Sequence, residues 1–376
     1  METPRARACL IVAGLACVAA TATTGAAARP PTALPPSARA ISTGEAGPGD
    51  GHTTTPSAGQ PGDQESGGVG TTLREARALI DQGQPRDAVA KLRALEANDR
   101  PEVAQLLGVA LYHADDYAAA IDVLRGVLDR LPADSAERRE AEQVLGLSLY
   151  VAGRFPEAIP HLEKTRGWAA DNSELNFVLG MAYIQTRRPD EARAALARTF
   201  GMPPDSAGAH VVTAQMMVRA EMEAQAEAEL KRALEKEPRV PQANYLLGQQ
   251  ALFRGRLDEA IAYTRKELEV SPANAMAFYQ LGDAFGRKLE WDASIRALQQ
   301  SLWLNPFYSG PYILLGKAYT KKGNPPAAEG MLRRAIEYDP NNRTAHYMLG
   351  QLLQQLGRAD EATKHLEIAE KLPGVR

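Results

Sequence analysis

The sequence predicts an all-α fold built as an array of helical hairpins. A small residue recurs at a constant spacing, from Gly146 to Gly180 and onward, and a fixed period of about 20 to 50 residues indicates a repeat array. Twelve places after each of these residues stands a second small residue, and four places later usually a leucine. Five units also close on a proline, from Pro204 to Pro340. The recurring positions are Gly146, Gly180, Ala214, Gly248, Gly282, Gly316 and Gly350.

Each repeated residue type has a physical reason. Glycine inside a helix costs about 1 kcal/mol relative to alanine, so its recurrence predicts close approach of a second helix. We expect the small residue twelve places later to form the other side of that contact. Turns such as those at Gly255 and Gly323 end a helix, because glycine readily takes the left-handed conformation. Each unit is therefore predicted to be a pair of helices.

The array is predicted to hold nine units. Two units in looser register precede the regular series, around Ala76 and Gly108. The interval from Gly108 to Gly146 is longer than one period, and the four extra residues near Ala133–Arg138 predict one added helical turn. The predicted repeats start near residues 69, 101, 139, 173, 207, 241, 275, 309 and 343.

The pattern of Leu-Gly, aromatic, alanine, apolar residue and proline within one period resembles the tetratricopeptide repeat family over residues 71–376. Unit five departs from the pattern, with Thr213-Ala214 for Leu-Gly, and unit seven has Ser294 for alanine. The resemblance implies a right-handed superhelical α-solenoid of tetratricopeptide hairpins. It also implies that the chain binds a protein or peptide partner.

The segment before the array, residues 1–70, has a different composition. Arg5 and Arg7 precede an uncharged run, Ala8–Ala20, and small residues follow, which predicts a signal peptide over residues 1–28. We therefore expect export, to the periplasm, the envelope or the medium. The alternatives are a lipoprotein signal at Cys17, an uncleaved anchor, or a cytoplasmic protein with a misassigned start. Residues 29–70, rich in Pro, Gly, Ser and Thr, are predicted to be a disordered linker.

Composition and motifs argue against catalysis. A net charge of −3 does not favour nucleic acid, and membrane contact is expected only through the N-terminal segment if it is retained or lipidated. The six histidines form no metal-spaced pair, and no phosphate loop or nucleophile elbow is present. We predict a non-enzymatic protein with no metal and no cofactor.

The resemblance implies a binding site on the first helix of each hairpin, which lines the concave side in this family. Residues three before, one after and five after the repeat glycine would face inward. Aromatic side chains flanked by amides and cations suit an extended peptide, although packing alone is the alternative for the aromatics. The predicted partner-binding residues are Phe177, Met181, Gln185, Gln215, Arg219, Tyr245, Gln249, Phe253, Tyr279, Asp283, Arg287, Lys317, Lys321, Tyr347 and Gln351.

These features predict a protein–protein interaction scaffold that holds a partner polypeptide on its concave face. Arg287, Lys317 and Lys321 would favour an acidic segment of that partner. One alternative is an assembly factor for secretion, pili or exported polysaccharide, in which the aromatics stack on a glycan. Another is an accessory subunit that completes an enzyme in trans.

Overall fold

The computed structural model describes residues 61–95 and 99–373. The predicted signal peptide and most of the predicted linker lie outside these residues. Over the described residues the chain forms eighteen α-helices, which divide into two compact units at Ala170 and Asp171. Among these helices, none combines the length and the apolar composition needed to cross a membrane.

The first unit contains three hairpins. Its helices are α1 (Pro61–Asp81), α2 (Pro85–Arg93), α3 (Pro101–His113), α4 (Tyr117–Val127), α5 (Ala136–Val151) and α6 (Phe155–Trp168). A 3-10 turn, Leu128–Arg130, follows α4.

The second unit contains six hairpins. Its first helices are α7 (Ser173–Gln185), α9 (Ala207–Arg219), α11 (Ala243–Phe253), α13 (Ala275–Arg287), α15 (Ser309–Lys321) and α17 (Arg343–Gln355). Its second helices are α8 (Pro189–Thr199), α10 (Glu223–Lys236), α12 (Leu257–Val270), α14 (Trp291–Leu304), α16 (Pro325–Tyr338) and α18 (Ala359–Lys371).

Each first helix packs against the second helix that follows it, which confirms the predicted α-solenoid of helical hairpins. In the second unit α11, α13, α15 and α17 also contact one another in turn, whereas the second helices of neighbouring hairpins barely meet. The layer whose members lie closer together is on the inside of a curved array. The first helices therefore form the inner layer here, as the family resemblance implies.

The repeat glycines do mark close approaches, and a leucine joins the predicted small residue as a partner. A Cβ at Gly282 would lie 2.5 Å from Leu298 Cγ, and one at Gly316 would lie 2.6 Å from Leu332 Cγ. At Gly282 and Gly316 the side chain over the glycine is the leucine sixteen places later. The small residue twelve places later also contributes at some repeats, since Ser294 donates a hydrogen bond of 2.7 Å to the Gly282 carbonyl. A leucine branch reaches across the helix crossing, whereas the alanine, such as Ala328, is buried beside it.

Two local features of the first unit concern helix lengths. Helix α5 has 16 residues where α7, the next first helix, has 13, in agreement with one added turn before Gly146. Helix α1 begins at Pro61, so residues 61–70 are helical although their composition predicts a linker. Val69 is 7% exposed, and its burial extends the apolar face of α1 into that segment.

Candidate partner-binding face

The predicted site residues all lie on first helices of the second unit, but they differ in exposure. Phe177 on α7 is only 7% exposed, so most of its side chain belongs to the core. Met181 and Gln215 are half-buried, and Gln185 and Arg219 are exposed. The face opens further along the chain, over α11 to α17. We call the inner surface of the four first helices α11, α13, α15 and α17 the α11–α17 face.

Large apolar side chains lie open to solvent on the α11–α17 face. Phe253, the last residue of α11, is 81% exposed, and Tyr347 on α17 is 49% exposed. The hydroxyl of Tyr347 accepts a hydrogen bond of 2.7 Å from the Gln351 amide one turn away, and Gln249 is exposed on α11. Packing inside the array therefore accounts for Phe177 but leaves Phe253 and Tyr347 available to a ligand.

A cluster of tyrosines lies on the α11–α17 face near the amino-terminal ends of its helices. The rings of Tyr279 and Tyr308 meet edge to face, 5.2 Å between centroids. Tyr308 lies over Gly310, where a Cβ would be 2.8 Å from its Cζ, so only glycine lets the ring settle there. Burial raises the pKa of both Tyr245 and Tyr279.

Tyr308 was missed by the sequence analysis. It stands before α15, outside the helical positions that the repeat register assigns to the inner face. A tyrosine two residues before a glycine at a helix start is the only signal in the sequence, and it is a weak one.

Cations and a cleft of about 450 Å³ lie on the α11–α17 face near the carboxyl-terminal ends of α13 and α15. The Arg287 guanidinium donates two hydrogen bonds to the Asp283 carboxylate, at 3.1 and 2.9 Å, and a third to the Leu252 carbonyl at 3.3 Å. Lys317 and Lys321 are exposed one turn apart on α15. The cleft between α13 and α15 is lined by Gly286, Arg287, Leu289, Trp291, Lys317 and Lys321.

The histidines serve packing in the described part of the chain. Three pairs in the same relative register join the two helices of a hairpin, and in one of them His210 Nδ1 lies 2.7 Å from the buried carboxylate of Glu229. Arg193 and Arg232 complete the partners of Glu229, at 3.2 and 2.7 Å. His161 pairs with a glutamate in the same way, Glu142. Within residues 61–95 and 99–373, no three His, Cys, Asp or Glu side chains converge as a metal site would require.

Two family models, both described as tetratricopeptide repeat, match the chain. One covers residues 73–135, 224–275 and 313–374, and the other covers 149–215, so together they match more than half of the chain. No curated protein shows significant sequence similarity to it.

The chain is also similar to solved structures over part of its length. One titled "Crystal structure of MamA" is 27% identical and covers 41% of this chain and 90% of its own, with a TM-score of 0.38. YrrB, titled a TPR protein with an unusual peptide-binding site, is 20% identical over 48% of this chain and 91% of its own, with a TM-score of 0.41. PilW, titled a type IV pilus biogenesis factor, is 19% identical over 51% and 90%, with a TM-score of 0.43.

Three observations agree with one another: the repeat period, the eighteen helices of the described segments and the matching family models. Proteins of this repeat type bind protein or peptide partners through their helical hairpins. The chain belongs to the tetratricopeptide repeat family.

Proposed function

We propose that this chain is a scaffold that binds a partner polypeptide in extended form along the α11–α17 face. The observation that supports it is the exposure of large apolar side chains on the inner layer, above all Phe253 at 81%. Leaving such a side chain in water forgoes about 1.5 to 3 kcal/mol of burial, which a bound partner would recover. Core packing does not account for this position.

The chemistry of the face suits a peptide backbone. Gln249 and Gln351 offer amide groups that both donate and accept, and the hydroxyls of Tyr245 and Tyr279 are protonated at neutral pH, as those of ordinary tyrosines are. An extended peptide needs hydrogen bonds for its main chain and apolar contacts for alternate side chains. The α11–α17 face supplies both along successive helices.

Export is part of the same proposal. It is supported by the arrangement of Arg5, Arg7 and the apolar run Ala8–Ala20, which is that of a signal peptide. N-terminal sequencing of the protein purified from its native cells, together with fractionation, tests it. We expect a mature N-terminus near Ala28 and recovery outside the cytosol. An intact N-terminus in the cytosol would contradict export and leave the binding proposal standing.

The binding proposal is tested with variants that remove only exposed side chains. Phe253→Ser with Tyr347→Ser alters the α11–α17 face without opening the core, whereas Tyr245 and Tyr279 are half-buried and would disturb packing. The matched control is Trp303→Ser with Phe307→Ser, because these side chains are 79% and 76% exposed at the end of α14 and beyond it.

Full-length parent and both variants are used as bait, and each captured polypeptide is then purified and its Kd measured by calorimetry. We expect a partner whose affinity falls at least about tenfold with the face variant and little with the control, since two apolar anchors are removed. Equal loss in both variants, or loss only in the control, would place the contact elsewhere. Binding that is confined to glycans on a glycan panel would support the assembly-factor alternative instead.

A further inference from the structure

We propose that the cleft between α13 and α15 takes an acidic, apolar segment of the partner, with acidic side chains at alternate positions. This inference rests on the proposed function and names the chemistry of the bound segment. It depends on three features of the cleft: two unpaired lysines, an exposed leucine on a strained backbone, and the spacing between the lysines.

The two lysines of the cleft lack an acidic counterpart. Neither Lys317 nor Lys321 has a carboxylate within ion-pair distance among the described residues. Lys322, the next residue, pairs with Asp292 on the second helix of the neighbouring hairpin, and Lys288 pairs with Asp258 at 2.6 Å. Lys322 and Lys288, which neighbour the cleft, are thus neutralised, and the two lysines that line the cleft are available to an anion.

Arg287 lines the cleft as an immobilised, ion-paired side chain and does not contribute a third unpaired charge. Its guanidinium is held by Asp283 in a two-pronged ion pair and by the Leu252 carbonyl on α11. The cation and the carboxylate offset each other, so the excess charge of the cleft comes from Lys317 and Lys321. A segment that carries two carboxylates would balance it.

Leu289 gives the cleft an apolar side at a cost to its own backbone. It is 68% exposed and has a φ of 65°, in the left-handed region. The same turn position in the hairpins on either side holds Gly255 and Gly323, at 71° and 68°, where no Cβ is strained. Arg187 and Glu221 take the same left-handed conformation, at 59°, in two earlier hairpins, so what distinguishes Leu289 is its exposed apolar side chain. Trp291, half-buried beside Leu289, completes this apolar side.

The spacing of the lysines matches an extended chain. Four residues along a helix rise about 6 Å, which is the axial distance between Lys317 and Lys321. Side chains two residues apart in a strand lie on one side, about 6.7 Å apart. An acidic side chain at each of two alternate positions can therefore meet the two lysines, while the residue between them points across the cleft to Leu289 and Trp291.

The test uses full-length protein and a fluorescein-labelled peptide whose centre alternates glutamate with leucine, flanked by glycine and serine with blocked ends. Binding is followed by fluorescence anisotropy at several salt concentrations. The comparison peptides replace glutamate with lysine, or leucine with serine. The variants are Lys317→Gln with Lys321→Gln, and Leu289→Gly, which removes the apolar group and relieves the backbone. Lys364→Gln with Lys371→Gln on α18 is the charge-matched control.

The glutamate–leucine peptide is expected to bind the parent, and the lysine–leucine peptide is not. The double lysine variant should weaken binding about 2- to 30-fold at low salt and flatten the salt dependence, because each exposed ion pair contributes a small screened attraction. Leu289→Gly should weaken binding and keep the salt dependence. The control variant should bind like the parent. Equal affinity for acidic and basic peptides, or an unchanged double lysine variant, would overturn the inference.

The same variants separate this inference from the proposed function. Where a captured partner is lost by the Phe253 and Tyr347 variant yet retained in full by the double lysine variant, the α11–α17 face binds but the acidic segment is wrong. Where the double lysine variant weakens that partner with the same loss of salt dependence as the peptide, the inference is supported on the native ligand.

Discussion

Replacing one repeat glycine by alanine measures the helix contact on which the array is built. A Cβ at Gly316 on α15 would lie 2.6 Å from Cγ and 2.7 Å from Cδ2 of Leu332, where ordinary carbon contacts are about 3.5 to 4.0 Å. Leu332 is fully buried among side chains of α16, α17 and α18, so it has no free space to yield into. Overpacking of this kind costs about 1 to 3 kcal/mol.

Alanine also favours the helix, and a control in the same hairpin isolates that gain. Gly330 lies inside α16, and nothing would stand within 4 Å of a Cβ there. Gly330→Ala should therefore raise the free energy of unfolding by up to about 1 kcal/mol. Gly316→Ala receives the same gain and bears the contact as well, so the two variants should differ by about 1 to 3 kcal/mol, with Gly330→Ala the more stable.

The assay is urea unfolding of the full-length variants followed by far-ultraviolet circular dichroism, with amide exchange on α15 to locate the change. Leu332→Ala provides a double-mutant cycle, because without the leucine branch Gly316→Ala should no longer destabilise the chain. Equal stability of Gly316→Ala and Gly330→Ala, or a cost at Gly316 that persists beside Leu332→Ala, would refute the close-contact explanation.

Three further changes test the interior of the second unit. Gln250 is 6% exposed, and its side chain has no hydrogen-bond partner among the described residues. Gln250→Met should therefore raise the urea midpoint by the equivalent of about 1 kcal/mol. A lower midpoint would point to a buried water. Glu267 is fully buried and accepts hydrogen bonds of 2.9 and 3.2 Å from two backbone N–H groups at the start of α11. Glu267→Ala should therefore lower the free energy of unfolding by about 2 to 4 kcal/mol. Glu269→Ala, at an exposed position, should lower it little. Burial, then the nearby His346, lowers the pKa of His365 below 6.5, so the unfolded chain binds that proton more readily. The stabilisation is complete above pH 6.5 and is lost as the pH falls through the folded-state pKa, so His365→Asn should flatten the decline of the urea midpoint below pH 6.5.

The partners of individual residues were less predictable than the repeat itself. The glycine period predicts that helices approach closely, but the reach of Leu332 over Gly316 depends on rotamer and crossing geometry, which a spacing does not contain. One repeat shows the consequence. Thr264 replaces the leucine, and Gln280 from the next hairpin donates a hydrogen bond of 2.6 Å to its hydroxyl, where an apolar branch would otherwise pack.

The candidate site was likewise predicted only in part from the sequence. The family resemblance, applied through the repeat register, assigned Phe253, Lys317 and Lys321 to the inner face, because residues at one repeat position share one side of a helix. Register alone did not separate Phe177, which is buried, from Phe253, which is exposed at the same kind of face. Leu289 escaped notice because it lies in a turn, where its exposure follows from backbone conformation and not from helical periodicity.

The sequence by itself determined the period and the number of hairpins, since both follow from which residue types recur and how often. The helical face expected to meet a partner came from the family resemblance. Tertiary structure decided which of those positions remain open, which cations keep no acidic partner among the described residues, and where Tyr308 and Leu289 come to lie. These properties depend on the neighbouring hairpin, and a repeat pattern describes each hairpin as though its neighbours were identical to it.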